Sequence, residues 1–200
     1  MAGFMRRYIV AIEHVNRVIG RFAMYLVFIL MGVLLWSSIS KTLFDPTLWT
    51  LETAQFVMVA YYVLGGPYSI QLGSNVRMDL FYGGWSPKVK AWVDSFSVIC
   101  LLFYLGVLLQ GALTSMAYSL GYFGTEPYAF YADLIGAFLT GGPDAAMEVM
   151  GYLERSSTAW RPFMWPVKLI LVAGVFLMLL QVLAELFKDI ERIRDGEETA

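Results

Sequence analysis

Residues 22–40 read Phe22-Ala23-Met24-Tyr25-Leu26-Val27-Phe28-Ile29-Leu30-Met31-Gly32-Val33-Leu34-Leu35-Trp36-Ser37-Ser38-Ile39-Ser40, a run of 19 positions between Arg21 and Lys41 without one charge. About 20 helical residues cross the ~30 Å hydrocarbon layer of a bilayer, and backbone polar groups survive there only inside helices or closed barrels. Three further charge-free runs follow: 24 residues between Glu52 and Arg77, 31 between Asp94 and Glu126, and 16 between Lys168 and Glu185. The last is short, but Lys168 can snorkel outward and Trp165 can sit among headgroups. Pro166 suits a first helical turn, where its missing N–H is not needed. The sequence therefore predicts an all-α membrane protein with four transmembrane helices over 22–40, 53–72, 95–122 and 167–186.

Composition points the same way. The 200 residues are 58% hydrophobic and 15% charged, with 16% aromatics and a net charge of −2. A soluble domain carries roughly 25% charge. The acidic balance excludes a nucleic-acid partner, which requires a basic face. A single cysteine, Cys100, excludes a disulfide framework and reads as a small buried hydrophobe. Arg6 and Arg7 precede apolar sequence as in a secretion signal. The apolar run begins only after Arg21, however, and ends in Leu35-Trp36-Ser37-Ser38-Ile39-Ser40-Lys41, with no small-x-small cleavage site. It is expected to be a retained anchor.

Charge sets the direction. Arg6, Arg7, Arg17 and Arg21 precede the first span, Arg77, Lys88 and Lys90 separate the second and third, and Lys188, Arg192 and Arg194 follow the fourth. Only Lys41, Arg155, Arg161 and Lys168 remain for the other side. The positive-inside rule then places both termini in the cytoplasm. Residues 1–20 set Tyr8, Ile9, Ile12, Val15 and Ile19 against Arg6, Arg7, Glu13, Asn16 and Arg17. That pattern predicts an amphipathic helix in the cytoplasmic interface, with extension of the first span as the alternative. Residues 187–200 form a cytoplasmic tail.

Residues 123–163 form a long periplasmic segment that is acidic, with Glu126, Asp133, Asp144, Glu148 and Glu154 against two arginines. Gly141-Gly142-Pro143-Asp144 predicts a turn, then a short helix to Arg155. The segment is either a connector lying on the membrane or a docking surface. Ser86-Pro87 marks a helix start in the cytoplasmic loop.

No catalytic, cofactor-binding or metal-binding set appears. The centres of the spans hold no Asp, Glu, Lys or Arg, the residues that mark ion or proton paths at depth. His14 lies before the first span, so intramembrane haem ligation is not expected. One His and one Cys do not make a zinc site. Structural or interfacial candidates remain. Glu52 opens the second span, as a helix cap favoured by the dipole or as an ion-pair partner for a neighbouring subunit. Arg77 and Asp79 pair with each other or hold the loop to a partner. Gly65-Gly66-Pro67 reads as a kink. Gly111, Ser115 and Ser119 form a small-residue stripe that permits close packing within the bundle or against a partner. Trp165 and Lys168 anchor the start of the fourth span.

Leu64-Gly65-Gly66-Pro67-Tyr68, Asn75-Val76-Arg77-Met78-Asp79-Leu80, Ser86-Pro87-Lys88, Ser157-Thr158-Ala159-Trp160-Arg161-Pro162 and Trp165-Pro166-Val167-Lys168, with Trp49 and Glu52 ahead of them, occur in an order that resembles the small membrane subunit of tripartite ATP-independent periplasmic (TRAP) transporters. The resemblance runs from about Val15 to Ile190. That family often has His at the position of Asn75, where no titratable group stands here. The resemblance implies a subunit of the bacterial inner membrane with two protein partners: a large multi-span permease subunit and a periplasmic binding protein that delivers an organic acid. It further implies sodium coupling in the large subunit, a scaffold role for this chain, and no cofactor. A stand-alone small transporter and a membrane anchor of another complex are the competing readings. The first is disfavoured by the missing intramembrane acid, the second by the missing intramembrane histidines.

Overall fold

A computed structural model of the chain describes residues 2–73 and 87–198. These form five helices: α1 (Ala2–Leu43), α2 (Thr50–Gln71), α3 (Pro87–Ser119), α4 (Pro127–Val149) and α5 (Trp165–Glu198). Among the described residues β structure is limited to one antiparallel bridge between Arg155 and Phe163.

Three helices are long and apolar enough to cross a membrane: α1, α3 from Phe96, and α5 to Glu191. α2 has 22 residues, about 33 Å of helix, so its length suffices. Its apolar character is diluted by Gln55, Gly65, Gly66, Pro67 and a cluster of tyrosines. It does not join the other three on composition, although the sequence count of charge-free positions treats all four alike.

The separate amphipathic helix expected over residues 1–20 is not formed. α1 continues unbroken for 42 residues, because no Gly–Pro pair or cap interrupts the chain between Arg17 and Phe22. Ile9, Asn16, Gly20 and Ala23 are its buried positions there, spaced as one helical face, whereas Val15 and Val18 are exposed. Asn16 thus belongs to the buried face and not to the polar one. The helix predicted after Gly142 ends at Val149, and a further helical stretch precedes it from Pro127. Gly142 has a φ of 77° and breaks the helical path, a conformation glycine adopts without steric cost. α3 is described from Pro87 onward, and the expected Ser86-Pro87 helix start lies at the edge of the described residues. Cys100 is exposed rather than buried: in a membrane helix an apolar residue is as stable facing hydrocarbon as facing protein.

The chain divides into two compact units. Residues 1–25, 62–108 and 174–200 make the first, and 26–61 and 109–173 the second. In the first, α1, α2 and α5 approach closely through glycines. A Cβ on Gly20 would strike the Tyr68 side chain, one on Gly174 would strike Val63, and one on Gly66 would lie 2.5 Å from the Met178 methyl. Small residues at such points let helix backbones approach in the absence of a hydrophobic drive between helices. Gly65-Gly66-Pro67 lies inside a continuous α2, and there Gly66 supplies a packing contact.

In the second unit, α3 ends in a glycine-dependent cap. Gly121 has a φ of 89°, the Tyr122 N–H reaches the Ala117 carbonyl at 3.0 Å, and the Gly121 N–H reaches that of Tyr118 at 3.0 Å. The Gly151 and Glu154 N–H groups then donate to the Leu120 and Ser119 carbonyls, each at 3.0 Å. These bonds satisfy carbonyls that a helix end leaves open and clamp residues 151–154 onto α3. Ala117, Leu120 and Phe130 centre a small core with Tyr122, Tyr131, Leu134, Val149 and Leu153 packed against it. Tyr122 stacks on Phe130 at 4.8 Å, and the Tyr131 hydroxyl donates to the Leu113 carbonyl at 2.8 Å. The segment over 123–163 is therefore folded as a cap that shares its core with the end of α3.

Candidate functional site

The polar residues of the second unit collect at two places. At the α1–α2 connection Ser37, Ser40, Thr47 and Thr50 satisfy one another. Thr47 Oγ1 donates to Thr50 Oγ1 at 3.1 Å, Thr50 Oγ1 donates to Ser37 Oγ at 3.2 Å, and Ser40 Oγ lies 3.4 Å from Thr47 Oγ1. Two residues beyond Thr50, Glu52 is 4% exposed, and neither carboxylate oxygen has a hydrogen-bond partner among the described residues. A buried acceptor without a donor is unfavourable. The site is suited to receive a donor that the described residues do not supply.

The second place is the start of α5. Lys168 Nζ donates to Glu154 Oε2 at 2.5 Å and to the Ser115 carbonyl at 3.1 Å, and lies 5.5 Å from the Tyr118 ring centroid. The ammonium thus joins α5, α3 and the clamp over 151–154. Ser119 is fully buried and donates to the Met116 carbonyl at 2.7 Å. Gly111 lies on open surface, where a methyl group in place of its hydrogen would have nothing within 4 Å. Trp165, the first residue of α5, is about one-third exposed. Ser115, Ser119 and Lys168 are thereby brought together, whereas Gly111 and Glu52 stand apart from them. Arg77 and Asp79 lie outside the described residues.

A third polar system, in the first unit, is not visible as a site in the sequence. Asn16 Nδ2 donates to Gln181 Oε1 at 2.7 Å, Gln181 Nε2 donates to Glu185 Oε1 at 3.0 Å, and Lys188 Nζ donates to the same oxygen at 2.8 Å while also pairing with Glu13. Tyr8 closes the system by donating to the Leu180 carbonyl at 3.1 Å and meeting Phe187 edge to face at 5.5 Å. Gln181, Glu185 and Lys188 recur at four- and three-residue spacing on α5, and Glu13 and Asn16 at three on α1, so each set lies on one helix face. That spacing is the signal the sequence offers. Among the described residues no three His, Cys, Asp or Glu side chains gather as metal ligands. What these groups do chemically is hold helices together and leave one carboxylate unpartnered.

Residues 30–134 match the family model for the DctQ component of tripartite ATP-independent periplasmic transporters. No curated protein matches the chain. The match covers just over half of the 200 residues and runs from mid-α1 through α2 and α3 into α4. With three membrane-length apolar helices in hand, the chain is a membrane-integral protein that belongs to the DctQ family, the small component of TRAP transporters.

Proposed function

We propose that this chain is the fixed scaffold of a TRAP-type secondary transporter in the bacterial inner membrane. In this reading α2 is a fourth span, both termini are cytoplasmic, and α4 with the adjoining hairpin is periplasmic. A large multi-span subunit carries the sodium and substrate sites, and a periplasmic binding protein delivers an organic acid. The observation that supports the scaffold role most directly is where the ionisable groups stand. Glu52 and Lys168 occupy first helical turns, Glu13, Glu185 and Lys188 are joined in one structural pairing, and the span centres contain no charge. Ion-coupled transport uses charged or carbonyl-rich sites at membrane depth, and this chain offers helix packing instead. Membership of a family of transporter components supports this reading.

The test is affinity purification of the tagged chain from its native membrane, followed by reconstitution. The large permease subunit is expected to co-purify, and sodium-driven uptake is expected only with both membrane components and the binding protein present. Sodium-driven uptake by this chain alone would refute the reading.

A further inference from the structure

Residues 154–164 form a closed hairpin. The Ser156 N–H donates to the Pro162 carbonyl at 2.9 Å and the Met164 N–H to the Glu154 carbonyl at 3.1 Å. The Arg155 guanidinium lies 4.2 Å over the Phe163 ring, and Arg161 is held at a φ of 50°, in the left-handed region. The two arginines, with Gly151, Tyr152, Leu153 and Phe163, line one open cleft of about 410 Å³. Among the described residues neither has a carboxylate partner. Glu154, the residue before Arg155, is engaged by Lys168 instead. Two guanidiniums without a carboxylate partner among the described residues, on one cleft, make a receptor for an oxyanion.

The surroundings decide which oxyanion. Tyr152 is 75% exposed and Trp160 45%. On α4, Tyr128, Ile135 and Leu139 are exposed at seven- and four-residue spacing, one stripe along the helix. Phe130, Tyr131 and Leu134 pack into the core. An exposed apolar stripe on a helix already packed into a core suits the headgroup–acyl boundary, where Tyr and Trp also concentrate. The hairpin leads directly into α5 at Trp165, a membrane-length apolar helix, so lipid headgroups are its immediate neighbours. We propose that the Arg155–Arg161 cleft binds the phosphate of an anionic phospholipid and seats the α4–hairpin cap in the headgroup layer. This inference needs only that the chain spans a membrane, and stands apart from the transporter reading.

The experiment presents the full-length chain, in mixed micelles, with phosphatidylglycerol and phosphatidylcholine, and counts retained lipid by native mass spectrometry. Preferential retention of phosphatidylglycerol is expected, about tenfold weaker in the R155Q/R161Q double variant. Arg161→Gly provides a folding control. Glycine accepts the left-handed φ without strain, so this variant folds and still retains less lipid. Equal retention by wild type and R155Q/R161Q overturns the proposal. Displacement of the lipid by inorganic phosphate would assign the cleft to a free oxyanion and overturn it too. So would unchanged lipid retention with lost capture of a soluble periplasmic protein, which would make the arginines a protein-docking pair.

Discussion

Asn16 on α1 and Gln181 on α5, 165 positions apart, meet side chain to side chain at 2.7 Å with both residues almost wholly buried. Replacing one partner strands the other. Asn16→Leu is expected to lower stability by about 1–2 kcal/mol, in the range for hydrogen bonds between membrane helices. The Asn16→Leu/Gln181→Leu pair should recover part of the loss, since removing both polar groups leaves fewer unpaired. Thermal unfolding in detergent reads both, and a strictly additive double variant would show the two residues to be uncoupled.

The glycines separate by what a methyl would meet. Gly174→Ala places Cβ against Val63, including its carbonyl oxygen at 2.9 Å, and backbone cannot step aside. A loss of about 1–3 kcal/mol is expected. Gly66→Ala meets the end of Met178, a flexible side chain that can re-orient, so its loss should be smaller. Gly111→Ala meets nothing and should stabilise the isolated chain by up to about 1 kcal/mol through helix propensity. If Gly111→Ala also reduces recovery of the large subunit, that face of α3 packs against the partner. Unchanged recovery leaves it to lipid.

Glu52 yields a prediction of opposite sign in two settings. Glu52→Leu removes a buried, unpartnered carboxylate and is expected to stabilise the isolated chain by about 1–3 kcal/mol. On the scaffold reading, in which the partner subunit supplies the donor, the same variant should destabilise the assembled complex. Comparing melting curves of the chain alone and of the complex checks both halves. A destabilised isolated chain would mean that the donor lies within this polypeptide.

Lys168→Met removes the tie between α5, the Ser115 carbonyl and Glu154. Faster proteolysis within residues 155–163 is expected, with the rest of the chain as resistant as before. Glu154→Gln keeps an acceptor for the ammonium and should show a smaller effect. Equal protection in all three proteins would make the lysine dispensable for holding the hairpin.

Runs of uncharged residues are enough to place the long helices, and local chemistry is enough for the Gly142 break. Each depends only on neighbours in sequence. Contacts across the chain are another matter. Asn16 reads as part of a polar face because it neighbours Arg17 and follows Glu13, yet its partner stands on α5. Gly66 reads as part of a kink because Pro67 follows it, yet Met178 sets its role. Cys100 reads as buried by its apolar surroundings, a rule from water-soluble proteins that loses force where the solvent is hydrocarbon. The stripe on α3 is visible as spacing, but spacing alone does not separate open Gly111 from enclosed Ser119.

The unbroken course of α1 has a mechanical corollary. Its 42 residues measure about 63 Å, roughly twice the hydrocarbon thickness. A continuous rod of that length that crosses the bilayer extends well past the lipid at one or both ends. Apart from Lys41, its charges stand between Arg6 and Arg21, ahead of the uncharged run 22–40. The first turns are therefore the part expected beyond the hydrocarbon, and a fluorophore attached near Phe4 should report tilting of the helix rather than the wobble of a loose tail.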